Sequence, residues 1–273
     1  MSRKTLLLIL LLCTCARAPL HAQDGLFPTF DARARLLGGT GLAAGGLDGL
    51  WTNPAGLARS ERKNVQAGAS IEQRFGVSEL TVATAGATYG LKDSGFGLQL
   101  ASFGFADYRE NRLGLAYGRQ LTKKLRIGAD LAGFSTATTG YAGTFNLTFG
   151  LGLQLEVIPE LHVGARLFSP VRVERAPEDF LPQLLALGVS YRPSDRLVLN
   201  VEAHQDTDFP VRFRMGAEYR PAEELSIQLG VATEASEVSL GLGYRLFGNF
   251  DVRAGAAYHE TLGLTPVVGV QWR

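Results

Sequence analysis

The chain has 273 residues, with 27 basic and 26 acidic side chains, four histidines and 33 glycines. A near-neutral chain without a basic block is a poor nucleic-acid binder, and its 19% of charged residues falls below the roughly 25% of an ordinary soluble domain. Apolar residues make up 46% and run the whole length, which excludes intrinsic disorder.

Arg3 and Lys4 precede an apolar run from Leu6 to Leu12, and Leu20-His21-Ala22 ends in a small residue before Gln23. This charged start, short apolar core and small cleavage residue predict a secretory signal peptide over 1–22. The run is too short to cross a bilayer as a helix. Cys13 and Cys15 both leave with it, so the exported chain has no disulfide and no thiolate metal site. Without the signal, 24 basic residues face 26 acidic ones, and all 33 glycines fall in the remaining 251 residues.

Residues 23–63 come next. The stretch is too Gly-rich for a long helix and too apolar for a free tail. Gly38-Gly39-Thr40-Gly41 is no phosphate loop, since no strand precedes it and no Gly-Lys-Ser/Thr follows. Trp51 is its largest side chain and the natural anchor for packing the segment against a wall, while Pro54 fixes its own φ and gives a rigid corner.

From about Asn64 the apolar residues alternate with period two, the pattern of strands with two different faces. Phe145, Leu147, Phe149, Leu151, Leu153 and Leu155 share one face, and Asn146, Thr148, Gly150, Gly152 and Gln154 the other. Segments 64–73, 79–90, 94–105, 110–120 and 124–134 read similarly, with mixed faces at 79–90. The count reaches about fourteen strands of nine to eleven residues, the length a tilted strand needs to cross a bilayer. Short Pro-, Gly-, Asn- and Asp-containing turns alternate with more varied loops, the longest being 169–183. Tyr89, Tyr117, Tyr191, Tyr219 and Tyr244 each stand just before a short turn and Trp272 ends the last strand, as an interfacial girdle requires. Gly-x-x-Tyr-Arg recurs at 188–192, 216–220 and 241–245, a per-hairpin signal. The predicted fold is all-β: a transmembrane, antiparallel, up-and-down β-barrel over 64–273, with residues 23–63 as a Gly-rich plug or hatch in its lumen.

The face opposite the apolar one carries Arg112, Arg126, Asp130, Arg166, Glu202, Arg212, Arg214, Glu218 and Arg253 among many glycines. Turning such charges toward lipid costs up to roughly 2–4 kcal/mol for a basic residue at the midplane, so they face the lumen. Arg212 and Arg214 lie beside Glu202 on the neighbouring strand, which suits a cross-strand ion pair. Glycine on an inner wall marks close approach of another backbone, and 23–63 is the obvious occupant.

Ala32–Leu37, Gly38-Gly39-Thr40-Gly41 and above all Trp51-Thr52-Asn53-Pro54-Ala55-Gly56-Leu57 resemble the N-terminal hatch signature of FadL-type outer-membrane barrels. The likeness is closer to their PorV/PorQ branch, which Asp208–Arg212, Gly216–Arg220 and Tyr258–Leu264 also resemble. The resemblance implies a fourteen-stranded bacterial outer-membrane barrel with the N-terminal segment folded inside, and Asn53, Pro54 and Ala55 as hatch residues. Gly45, Gly46 and Leu47 stand where relatives carry acidic residues, and the outer loops are short.

Two functions follow as expectations. The first is a passive conduit for hydrophobic small molecules, gated by the hatch and embedded in outer-membrane lipid. The second is an accessory or scaffold barrel of type IX secretion, with secretion-system proteins as partners and the 169–183 loop as the docking surface. No cofactor or metal is expected, and no catalytic residue: His162, His204 and His259 lack an accompanying Ser nucleophile and a metal-ligand spacing.

Overall fold

The computed structural model describes residues 26–59, 64–176, 179–206, 210–233 and 236–273. The predicted signal peptide, 1–22, lies outside the described residues.

Fourteen strands close into one antiparallel barrel. They run β1 Val65–Gln73, β2 Thr81–Leu91, β3 Ser94–Gly104, β4 Tyr108–Gln120, β5 Leu125–Thr138, β6 Thr144–Ile158 and β7 Leu161–Phe168. After a two-stranded hairpin, β8 Glu174–Ala176 and β9 Asp179–Phe180, the barrel resumes with β10 Leu184–Ser194, β11 Leu197–Asp206 and β12 Arg212–Tyr219. It ends with β13 Leu225–Ala232, β14 Glu237–Leu246, β15 Phe250–His259 and β16 Gly263–Trp272. Each barrel strand pairs with its neighbour in the chain, β7 with β10 across the hairpin, and β16 closes onto β1 through Ala67↔Trp272 to Glu72↔Val267. Closure leaves no unpaired edge, which is what allows strands to stand in lipid.

The two faces separate as the period-two pattern requires. Along β6, Leu147, Phe149, Leu151 and Leu153 are exposed while Thr148, Gly150, Gly152 and Gln154 are buried. The register of β2, mixed in sequence, sends Val82, Thr84 and Thr88 inward and Ala83, Ala85, Ala87 and Tyr89 outward. Its inner face is ambiguous in sequence because Val82 belongs to an apolar cluster inside the barrel, with Leu50, Trp51, Leu57 and Phe103. An exterior of exposed Leu, Val and Phe side chains all round is stable only against hydrocarbon. Tyr89, Tyr117, Tyr191, Tyr219, Tyr244 and Trp272 ring the short-turn rim, exposed, with Phe96 and Phe250 paired against Tyr89 and Trp272 at the same level. No helix among the described residues is long and apolar enough to cross a membrane.

Residues 26–59 run inside this wall. Asp31 caps a short helix, α1 (Ala32–Leu36), by accepting from the Ala34 amide at 2.9 Å. The helix stops at a Schellman turn: Gly39 N donates to Ala34 O at 2.8 Å, and Gly38 sits at φ +69, a conformation glycine adopts without cost. Two 3-10 turns, Gly46–Gly49 and Pro54–Arg59, carry the chain on toward β1.

Candidate functional site

The inner wall and the 26–59 segment meet through a dense set of polar contacts. Every one of them joins groups that lipid cannot satisfy, so they must be satisfied inside. On α1, Arg33 Nε donates to Glu218 Oε2 at 2.8 Å. Arg35 donates to Glu72 Oε2 and Glu237 Oε2, each at 2.8 Å. Ser239 Oγ donates to Leu36 O at 2.9 Å and Gln271 Nε2 to Asp31 Oδ2 at 2.8 Å. Further along, the carboxylate of Glu202 accepts from the Gly41 and Leu42 amides at 2.7 and 2.8 Å. Gln154 Nε2 donates to the carbonyls of Leu42 and Ala44 at 2.9 and 2.8 Å.

Glu202 is therefore a receptor for segment backbone rather than simply the cross-strand partner of an arginine. It faces Arg214 in register, yet its carboxylate takes two backbone N–H groups and His204 Nε2, the last at 2.9 Å. Two aligned amides held by one carboxylate satisfy donors that would otherwise be orphaned in the lumen.

Trp51, Asn53, Pro54 and Ala55, expected from sequence as hatch residues, lie together inside the wall, with the 54–59 turn against β4, β5 and β6. Trp51 is buried, its carbonyl accepts from Arg166 Nη1 at 2.6 Å, and the Arg112 guanidinium stands 5.7 Å above its ring. Asn53, fully buried, donates through Nδ2 to Leu42 O at 2.8 Å and to the wall carbonyls of Leu153 and Ala165 at 3.1 and 3.2 Å. Its Oδ1 accepts from the Ala55 amide at 3.1 Å, which makes the corner at Pro54. Pro54 and Ala55 press onto glycines: a β-carbon at Gly118 would lie 2.5 Å from Pro54 O and 2.9 Å from Ala58 N. One at Gly152 would meet Pro54 Cδ at 2.9 Å as well as Asn53 Oδ1. Only glycine leaves room for backbone at these points.

The lumen charges are all inward and sort into groups. Arg112 and Arg166 flank Asp130 at 3.7 and 3.4 Å, and both stand over Phe168. Arg253 Nη1 donates to Gln271 Oε1 at 2.6 Å. Arg212 and Arg214 are buried on β12, with Arg214 5.2 Å over the Phe30 ring. Arg126 lies near the short-turn rim beside Glu156, 3.4 Å away. Five ionic residues of the segment that the strand pattern does not single out complete the set: Asp31, Arg33, Arg35, Asp48 and Arg59. Asp48 accepts from Arg273 Nη2 at 2.8 Å. Burial works to raise its carboxyl, but Arg273, Arg33 and Arg253 outweigh that and hold it well below the usual range. Asp31, which lacks so close a cation, is pushed up to about 6 by burial and then by Asp48.

At the long-loop end the polar lining gives way to an apolar one. Phe134, Phe168, Ala132 and Leu181 form a buried cluster with Phe27, Val173 and Leu184 packed against it, and Phe27 stacks on Phe168 at 5.4 Å. Leu181 belongs to the 169–183 loop, whose charged sequence suggests a solvated surface. The β8–β9 hairpin turns it back, Leu181 N donating to Val173 O at 2.8 Å, and so buries it over the barrel mouth.

The histidines are separate. His162 Nε2 is 3.7 Å from Glu156, His204 pairs with Glu202, and His259 Nδ1 accepts from the Thr261 and Leu262 amides at 3.1 and 3.2 Å. Among the described residues no group of three or more His, Cys, Asp or Glu is placed to hold a metal ion.

This fourteen-stranded barrel fold is shared with solved bacterial outer-membrane proteins. The toluene transporter TbuX of Ralstonia pickettii superposes with a TM-score of 0.64 at 15% identity, covering 89% of this chain and 98% of that one. The toluene transporter TodX of Pseudomonas putida gives 0.68 at 14% identity over 89% and 96%. A FadL homologue from Pseudomonas aeruginosa gives 0.62 at 12% identity over 89% and 95%. At these identities the likeness is one of fold. No family model and no curated protein matches the chain.

Proposed function

We propose that the protein is a passive conduit for small hydrophobic molecules across the bacterial outer membrane, closed at rest by residues 26–59 and opened by their displacement. The observation that carries the reading is the apolar cluster at the long-loop end. Phe27, Phe134, Phe168 and Leu181 stand together at one mouth, where an aromatic or aliphatic molecule leaving water would find its first favourable surface. Behind that cluster the segment is held by hydrogen bonds and ion pairs, which can exchange one partner for another or for water as the segment moves. Segment backbone packs directly onto the inward glycines of the wall, as at Gly118, Gly128 and Gly164, so passage requires that movement. Similarity of fold to proteins described as toluene transporters and monoaromatic hydrocarbon channels supports the same substrate class.

Uptake of radiolabelled toluene by cells expressing the barrel tests the reading, with a hydrophilic sugar as the comparison solute. Faster toluene entry with unchanged sugar entry is expected. Equal acceleration of both, or of neither, overturns it.

The PorV/PorQ-type secretion role remains the competing reading, and the folded 169–183 hairpin is the surface it would use. Deleting the gene separates the two: loss of secreted proteins with normal toluene entry favours secretion, and the reverse favours the conduit. We also propose that the barrel is not an enzyme, since each of the three histidines is committed to a local carboxylate or backbone partner.

A further inference from the structure

Inside the barrel most cations have a counter-charge close by. Arg33, Arg35 and Arg273 reach carboxylates within 2.8 Å, and the surplus charge of Arg112 and Arg166 over Asp130 is spread on aromatic faces. The short-turn rim departs from this. Arg126 on β5, His162 on β7 and Arg192 on β10 lie on strands that are near neighbours in the barrel, and Arg59 arrives there at the end of the lumen segment. Arg59 Nη1 and Arg192 Nη2 donate to the same oxygen, Ala43 O, at 3.3 and 3.2 Å, which sets two guanidiniums side by side. Arg126 adds a third cation to their field.

Glu156 lies 3.4 Å from Arg126 Nη2 and 3.7 Å from His162 Nε2, and its side chain is itself 26% exposed. Among the described residues it is the one carboxylate within 4 Å of these three guanidiniums; Glu218 and Asp48 act on Arg192 from farther off, opposed there by Arg33 and Arg220. Arg126 is more than nine-tenths buried, yet its Nε and Nη1 have no hydrogen-bond partner, and neither does Arg192 Nε. Buried donors of this kind cost free energy unless something accepts from them. Burial, then Arg192 and Arg126, push Arg59 down to about 10, as expected of cations crowded without compensation.

We propose that Arg59, Arg126 and Arg192 form an anion site at the short-turn rim that takes a phosphate group. Planar guanidinium forks converging from the wall and from the segment match the several oxygens of a tetrahedral oxyanion better than a spherical ion. Arg59 and Arg192 are only partly buried, so the site opens to the water at that rim. Because Arg59 belongs to the segment and the other two to the wall, a bound phosphate ties one to the other. The phosphate can be free in solution or part of a phospholipid headgroup, and the chemistry of recognition is the same.

The test is calorimetric titration of inorganic phosphate into the full folded chain, in phosphate-free detergent and again in phospholipid nanodiscs, at constant ionic strength. One saturable site is expected in detergent, at least tenfold weaker in Arg126→Gln and in Arg192→Gln and unchanged in Arg119→Gln, which removes an exposed charge near the same rim. Binding that persists in nanodiscs identifies a soluble phosphate as the source. Binding abolished in nanodiscs, with one phospholipid retained by the wild type and not by Arg126→Gln in native mass spectrometry, identifies a headgroup. Absence of saturable binding in detergent together with absence of a retained lipid, or equal binding in all four proteins, overturns the proposal. Since the wild-type titration and the wild-type mass spectrum together can refute it, the outcome does not depend on how well the variants fold. The conduit reading stands or falls separately, on toluene uptake.

Discussion

Gly118→Ala perturbs the lumen segment through a single methyl group. Gly118 sits on β4 between Gly95 and Gly128, and its added β-carbon would lie 2.5 Å from Pro54 O and 2.9 Å from Ala58 N. Both are backbone atoms, so no side-chain rotation relieves the clash; the 54–58 turn has to retreat by about 1 Å to restore ordinary contact. Overpacking of this kind costs about 1–3 kcal/mol, and the retreat strains the Asn53 hydrogen bonds to Leu153 and Ala165, about 1 kcal/mol each where broken. A total near 2–4 kcal/mol raises the population of displaced segment by roughly 30- to 700-fold. The barrel ladders keep their hydrogen bonds, since alanine is no different from glycine there. Hydrogen exchange followed by mass spectrometry in nanodiscs reads the two regions apart: faster exchange at residues 41–57 and unchanged exchange in β4 to β6 are expected. Gly133→Ala is the control, because its β-carbon meets only the Phe145 and Leu147 side chains on the outer face. If both variants leave the segment as protected as the wild type, the close packing described here is wrong.

Leu151→Arg puts a charge on the exposed outer face midway along β6 and should cost about 2–4 kcal/mol in urea titrations of the barrel in lipid vesicles; an unchanged midpoint would mean the face assignment is inverted. Asn53→Ala removes donors to three carbonyls and should destabilise by about 1–3 kcal/mol, seen as segment exchange without loss of the heat-modifiable folded band in electrophoresis. Asp31 carries its raised pKa of about 6 in the folded chain against 3.8 in a hydrated one, so the docked segment holds the proton more tightly. Docking is therefore favoured below about pH 4 and weakens as pH rises through 4 to 6, by about 3 kcal/mol in all from this group. Asp31→Asn should flatten that part of a segment-protection profile against pH, and a profile identical to the wild type would show that Asp31 does not titrate there.

The strands were legible because one chemical rule, apolar outward and small or polar inward, acts along most of the barrel wall, with Val82, Phe103, Phe134 and Phe168 as inward exceptions. Local period-two patterning is then enough to place all fourteen, with ends off by a few residues. The segment's partners were not legible in the same way. Arg33 meets Glu218, Arg35 meets Glu237 and Asp31 meets Gln271 across 185, 202 and 240 residues of sequence, distances at which no local pattern pairs one charge with another. A signal existed in part: inward positions occupied by Gln99, Gln154, Gln228 and Gln271 mark where a wall offers amide groups to something inside. The 169–183 loop was legible in part. Arg172 and Glu174 are exposed, as its charges suggest, while two short strands and Leu181 fold over Phe168, a tertiary effect its own sequence does not announce.

Single-channel recording in planar bilayers tests the central claim most directly, comparing the intact chain with one lacking residues 26–58. The account predicts a nearly silent intact barrel, because the segment fills the lumen with satisfied backbone and ion pairs, and steady ionic conductance after deletion, because the wall keeps its own ladders. An intact chain that already conducts like an open porin, with no change on deletion, would contradict it.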